Sequence, residues 1–170
     1  MAPAPWRSSI ARSAGTPSRV PRKVSTSIFR ASFTRDQLQP EESNSPTPYQ
    51  LLGGDAQVRK LVDHFYDLMD FEPKYAQLRA VHGSTLESAR DKLYMFLSGW
   101  LGGPSLYIDR FGHPMLRARH LPFAIGTVER DQWMACMVQA MEETEVPQEL
   151  RMALEQAFFK TADWMRNREG

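Results

Sequence analysis

A single cysteine, Cys136, leaves no partner for an internal disulfide and excludes a zinc site built from several thiolates; it fits a reducing compartment. No apolar run approaches the roughly 18–20 residues that a membrane span needs. The alternating pattern of strands and the Asn-Gly signal of tight hairpins are both missing, so no sheet is expected. Neither a Gly-x-Gly-x-x-Gly loop nor a Gly-Lys-Ser/Thr loop is present to cradle phosphates, and the chain has neither a serine elbow nor a His-Glu-x-x-His zinc helix. Acidic residues are absent from positions 1–35, which carry seven basic side chains. The remainder holds fourteen basic against twenty acidic residues, a formal charge of −6 that speaks against binding nucleic acid through its phosphates.

What is present divides into two stretches. Residues 1–46 hold Pro3, Pro5, Pro17, Pro21, Pro40 and Pro46, many serines and scattered arginines without apolar periodicity. Such a stretch buries too little apolar surface to offset its ordering entropy, so a disordered basic extension is expected there. Three readings stand side by side for it: a basic arm, a start placed too far upstream, and an organellar transit peptide, which its Arg- and Ser-rich, acid-free composition resembles. Residues 47–170 form the second stretch, 42% of the whole chain being hydrophobic and 24% charged, enough for one all-α domain. A cytoplasmic protein is expected, with an organelle as the alternative if the extension is a transit peptide.

Helical periodicity organises this second part. Val58, Leu61, Val62, Phe65, Tyr66 and Met69 recur at spacings of three and four, predicting a helix from about Asp55 to Asp70. Pro73 suits the first turn of a short helix through Tyr75 and Leu78. Ser84-Thr85-Leu86-Glu87 reads as a capping box launching a helix whose inner face is Leu86, Ala89, Leu93, Phe96, Leu97 and Trp100, ended by Gly102-Gly103-Pro104. Residues 105–126 are less regular, with one or two turns predicted from Met115 to His120 before Pro122 forbids continuation. Thr127 is a candidate N-cap for a helix with Trp133, Met137, Ala140 and Met141 inside, and Pro147 opens a last one through Leu150, Leu154, Ala157, Phe158, Thr161 and Met165.

The residues that can carry chemistry are few. Cys136 lies on an apolar helix with no basic neighbour to lower its pKa, so an inert buried thiol is expected. His120 ends a helical turn, where a free backbone carbonyl can hold one ring N–H and leave the other nitrogen for a metal; an incidental histidine among Arg117 and Arg119 is the other reading. Those two arginines are spaced to meet carboxylates at the rim of a pocket. Tyr66 and Trp133 project polar groups from inner faces, as partners for a bound molecule or as core residues with an incidental hydrogen bond. His64, His82 and His113 read as a half-exposed filler and two loop residues.

Together these pieces resemble the group II truncated haemoglobins, a two-over-two helical version of the globin fold. The resemblance runs from Tyr49 to about Asn167. It rests on Gly53-Gly54, Phe65-Tyr66, Met95-Phe96-Leu97, Trp100-x-Gly102-Gly103-Pro104, and Gly112-His113-Pro114-x-Leu116-Arg117-x-Arg119-His120-x-Pro122-Phe123. Glu129-Arg130-Asp131-x-Trp133 and Cys136-Met137 continue it. The resemblance implies haem b with His120 as the proximal iron ligand and Leu116, Phe123 and Ile125 walling that side. It implies Tyr66 and Trp133 as distal contacts to the ligand and His82 at the corner position that is often Tyr or Phe. Ala89 then takes the place of the usual distal histidine, and Leu93, Phe96 and Leu97 lie above the ring. Lys92, Tyr107 and Arg119 correspond by looser analogy to propionate partners. The implied ligands are dioxygen, nitric oxide and carbon monoxide, with nitric oxide detoxification or peroxide chemistry as further uses. Nitric oxide removal requires a partner reductase to recycle ferric iron. The reading from a different class is a haem-free helical interaction domain. Oligomeric state is not readable.

Overall fold

The computed structural model describes residues 45–169. Except for Ser45 and Pro46, the predicted basic extension lies outside the described residues. Those described form eight α-helices and one 3-10 turn, without strands. In chain order the helices are α1 (Pro48–Leu52), α2 (Asp55–Phe71), α3 (Ala76–Ala80), α4 (Glu87–Trp100), α5 (Leu106–Phe111), α6 (Leu116–His120), α7 (Thr127–Glu143) and α8 (Gln148–Met165); the 3-10 turn is Pro73–Tyr75. None is long and apolar enough to cross a membrane.

Burial decides the arrangement. The six apolar residues predicted for the inner face of α2 are all buried, and so are Met137, Ala140 and Met141 of α7. Joining these faces removes the largest contiguous apolar surface from water, the dominant favourable contribution to folding. The helix α2 packs against α4 on one side and α7 on the other, and α7 packs in turn against α8. Two helix pairs stacked on each other result. Met134 and Cys136 are buried as well, so α7 is covered on more than one face and its apolar stripe is wider than the predicted one.

The short α1 is tied to the end of α4. Thr47 and Gln50 form the true capping box, with the Thr47 amide bonded to the Gln50 side chain at 2.9 Å. The Tyr49 amide donates to the Leu101 carbonyl at 3.0 Å, and the Tyr49 ring lies where a side chain on Gly103 would sit, 2.5 Å from an added Cβ. Only glycine admits that approach.

Two predicted caps are corrected. Ser84 does not cap α4, which starts at Glu87 behind Leu86 with no side-chain cap. The Gly83 and Ser84 carbonyls are instead drawn into a turn by the Arg79 guanidinium, at 2.9 and 3.3 Å. Thr127 is the first residue of α7, not its cap. Glu129 reaches back to the Gly126 amide at 2.8 Å, and the Thr127 hydroxyl accepts from Arg166 at 3.0 Å. The irregular stretch after Pro104 also contains a full helix, α5, that periodicity did not reveal.

Candidate haem pocket

One wall of the site is built by α2, α4 and α7. Tyr66 follows Phe65 on the inward face of α2, and the two rings meet edge to face at 5.1 Å. Phe65 lies 5.5 Å from Trp133 of α7, so the phenol and the indole flank one fully buried ring. His82, in the loop after α3, stands edge-on to Tyr66 at 6.0 Å. Trp133 is half-buried and also touches Phe158 of α8, which stacks on Trp100 at 5.1 Å. Among the described residues the Tyr66 hydroxyl and the Trp133 N–H have no protein hydrogen-bond partner. Both are donors held by packing alone.

The electrostatics keep this wall neutral. Burial raises the Tyr66 phenol well above its ordinary range, outweighing the lowering influence of Arg90, so the O–H stays on. The Arg90 guanidinium is 5.8 Å from the Tyr66 ring centroid and is held by Asp67 at 2.6 Å and the Asp63 carbonyl at 2.9 Å. Burial is also the main influence lowering the His82 pKa, assisted by Arg79 and His120 and opposed by the hydrogen bond to the Leu78 carbonyl. His82 is therefore neutral at pH 7. Its Nδ1–H donates to that carbonyl at 2.9 Å, which leaves the Nε2 lone pair free.

The remaining predicted residues of this side divide. Ala89, Leu93 and Phe96 are half-buried along α4, whereas Leu97 is 1% exposed and packs into the core. Lys92 is exposed on α4. Tyr107 is buried, edge to face with Phe96 at 6.3 Å, and Arg119 lies 5.9 Å from its ring centroid.

The other predicted residues lie on α6 and its surroundings. His120 ends α6 and is half-buried. Its Nδ1–H donates to the Leu116 carbonyl at 2.7 Å, one turn back, which fixes the tautomer and leaves Nε2 with a free lone pair. Leu116 and Ile125 are half-buried beside it. Around them Ile108, Phe111, Met115, Leu121 and Phe123 are between 37 and 58% exposed, a concentration of large apolar side chains within sixteen positions. Met115 adopts left-handed backbone angles, φ 47° and ψ 44°, turning the chain sharply into α6. Exposed apolar side chains this dense mark a surface built to be covered.

Arg117 does not go to a pocket rim. It donates to the Trp164 carbonyl and, at 3.3 Å, to the Arg166 carbonyl, capping the end of α8. His64 pairs with Glu143 at 2.5 Å, and the His113 ring accepts from the Met115 amide at 3.2 Å; neither belongs to the site. Burial pushes the Cys136 thiol up to about 12, and its S–H donates to the Phe65 carbonyl at 3.3 Å, which makes it inert. Asn167 was missed: beyond α8 it reaches three groups around His120, and nothing local in the sequence signals that.

Residues 47–167 match the bacterial-like globins. The chain belongs to that family. Within it the resemblance is to the group II truncated branch. The group 2 truncated haemoglobin YjbI of Bacillus subtilis is 40% identical over 104 residues, 61% of this chain and 76% of that protein. The group II 2-on-2 haemoglobin of Agrobacterium tumefaciens superposes with a TM-score of 0.72 at 42% identity, over 76% of this chain and 99% of that one. The cold-adapted truncated haemoglobin of Pseudoalteromonas haloplanktis gives a TM-score of 0.70 at 41% identity, over 72% and 99% respectively. The globin is thus of group II, and haem binding comes with the family.

The residues of this globin fit a haem. A flat apolar ring with a central metal calls for one nitrogen donor among exposed apolar side chains, as at His120, and for uncharged donors opposite, as at Tyr66 and Trp133.

Proposed function

We propose that this globin holds haem b through the Nε2 of His120 and binds dioxygen or a related diatomic gas on the side of Tyr66 and Trp133. The observation that carries the reading is the bond from His120 Nδ1–H to the Leu116 carbonyl, because it prepares one imidazole nitrogen for a metal amid apolar side chains that the described residues leave largely exposed.

The haem supplies a ferrous centre at which a diatomic gas binds. The protein supplies the rest. Leu116, Phe123 and Ile125 exclude water from the histidine side, and Leu93 and Phe96 do so from the other. Lys92, Tyr107 and Arg119 are the groups assigned to the propionates. A gas that takes on partial negative charge at the site would be lowered in free energy, and its release slowed, by donors aimed at it. The Tyr66 O–H and Trp133 N–H are two such donors, and neither has another partner to surrender. Neutral His82 supports them without adding charge. Ala89 offers no polar side chain on the remaining flank, leaving an apolar path inward.

Nitric oxide removal follows from the same donors, with an external reductase to return the iron to its ferrous state. The chain has no phosphate-cradling loop of its own for a flavin or nicotinamide.

One spectrum tests the proposal. Purified chain mixed with hemin, then reduced under carbon monoxide, is expected to show a Soret band that sharpens and shifts with the gas. The His120→Ala variant should lose that band while keeping its helical circular dichroism, since α6 contributes no fully buried residue to the core. A chain that stays colourless, or a variant that takes up hemin equally well, overturns the reading.

A further inference from the structure

The C-terminal segment after α8 folds back under α6. The Asn167 carboxamide uses both of its ends there. Its Nδ2 donates to the backbone carbonyl of His120 at 3.1 Å and to that of Phe123 at 2.8 Å. Its Oδ1 accepts from the Ile125 amide at 3.1 Å. The Asn167 and Arg168 amides donate in addition to the Ile125 carbonyl at 2.9 and 3.1 Å. The Phe123 amide closes the turn onto the same His120 carbonyl at 3.1 Å. In the other direction, Arg117 of α6 caps the carbonyls of Trp164 and Arg166. Asp163 anchors the base of this segment, holding Arg130 at 2.5 Å and Arg166 at 2.9 Å.

These bonds gather on a five-residue helix with no fully buried residue of its own and the turn after it. With no fully buried residue, α6 leans on hydrogen bonds as well as on its contact with α8. A carboxamide is the one side-chain group that can donate twice and accept once in a plane, which these three backbone partners require. We propose that Asn167 is the positioning residue of the proximal histidine: it fixes the turn from His120 to Ile125 and thereby the height and tilt at which the imidazole meets the iron. The proposal rests on the haem reading above. It extends the ligand's support from the Leu116 carbonyl, in the same helix, to a residue forty-seven positions away.

Two variants test the role of the carboxamide. Asn167→Asp keeps the shape and the acceptor for Ile125 but turns a carboxylate toward two carbonyls. Asn167→Ala removes both. In hemin transfer to an excess of a competing apoglobin, both variants are expected to lose haem about tenfold faster than the wild type, the usual scale for supports of a metal ligand. In resonance Raman spectra of the ferrous protein, the iron–histidine stretching band should shift and broaden in both. The carbon monoxide stretching frequency, which reports the Tyr66 and Trp133 side, should stay where it is. An iron–histidine band and a transfer rate unmoved in both variants overturn this proposal alone. Equal movement of the carbon monoxide frequency also overturns it, because the effect is then general loosening. A wild-type chain that takes up no hemin overturns this and the haem reading together.

Discussion

The two parts of the candidate site are built in opposite ways. On the Tyr66 and Trp133 side, the polar groups stand on helices of 17 residues each, and the residues beside them belong to the main core. Phe65, between the two rings, is fully buried, and the packing that makes the fold also aims the donors. On the His120 side, the imidazole stands on a helix of five residues with no buried member, near exposed apolar side chains. One wall is finished by the protein itself. The other has its hydrogen bonds in place and its apolar side chains still exposed, and on the proposed reading the cofactor would cover them. On the proposed reading, affinity for haem and affinity for gas would be governed by different parts of the fold.

The largest expected effect tests that contrast directly. Phe65→Ala should destabilise the apoprotein by about 3–5 kcal/mol in urea titration, the cost of emptying a buried aromatic site. Phe123→Ala, on the exposed wall, should change the apoprotein by less than about 0.5 kcal/mol yet measurably weaken the haem-loaded protein. Comparable losses in the two apoproteins would erase the distinction.

A smaller effect sharpens the donor side. Trp133→Phe keeps the ring and removes the N–H, and it should raise the dioxygen dissociation rate about tenfold in stopped-flow measurement, on the scale of one hydrogen bond lost from a charged acceptor. An unchanged rate would leave Tyr66 as the sole donor.

The smallest effect is in pH. His82 has a folded pKa below its ordinary value of 6.5, chiefly through burial. As pH falls below about 6.5, the unfolded chain binds a proton that the folded chain refuses, so stability drops on the acid side. The groups facing His82 are the Tyr66 ring, Arg79, the Leu78 carbonyl and His120. Replacing it by Phe should flatten the fall between pH 7 and 5 by about 1 kcal/mol or less in urea titration. An equally steep fall in the variant would assign the acid sensitivity to carboxylates such as Asp163, whose pKa is lowered first by its hydrogen bond with Arg130.

Legibility in the sequence followed the same division as the walls. The face of α2 was readable because six apolar residues at helical spacing all had to be buried, and they are. The position of His120 at a helix end was readable because Pro122 forbids continuation, and α6 stops there. The caps were not readable. Ser84 and Glu87 have the right spacing, but Arg79 draws the Gly83 and Ser84 carbonyls into a turn and moves the helix start past the serine. Thr127 has the right side chain, but Arg166 occupies it. Leu97 shares a helical stripe with Leu93 and Phe96 yet turns into the core, since a stripe read from spacing does not say which neighbour covers each part. The role of Asn167 left no local trace, because its partners lie more than forty positions away.

From sequence alone came the all-helical class, the inner faces of the long helices, and the residues able to ligate or donate, because periodicity and side-chain chemistry are local properties of the chain. Tertiary structure alone decided which arginine caps a helix rather than a pocket, which histidines keep a free nitrogen, and what holds α6 in place. Those outcomes depend on hydrogen bonds between distant segments, and such bonds exist only once burial has brought the segments together.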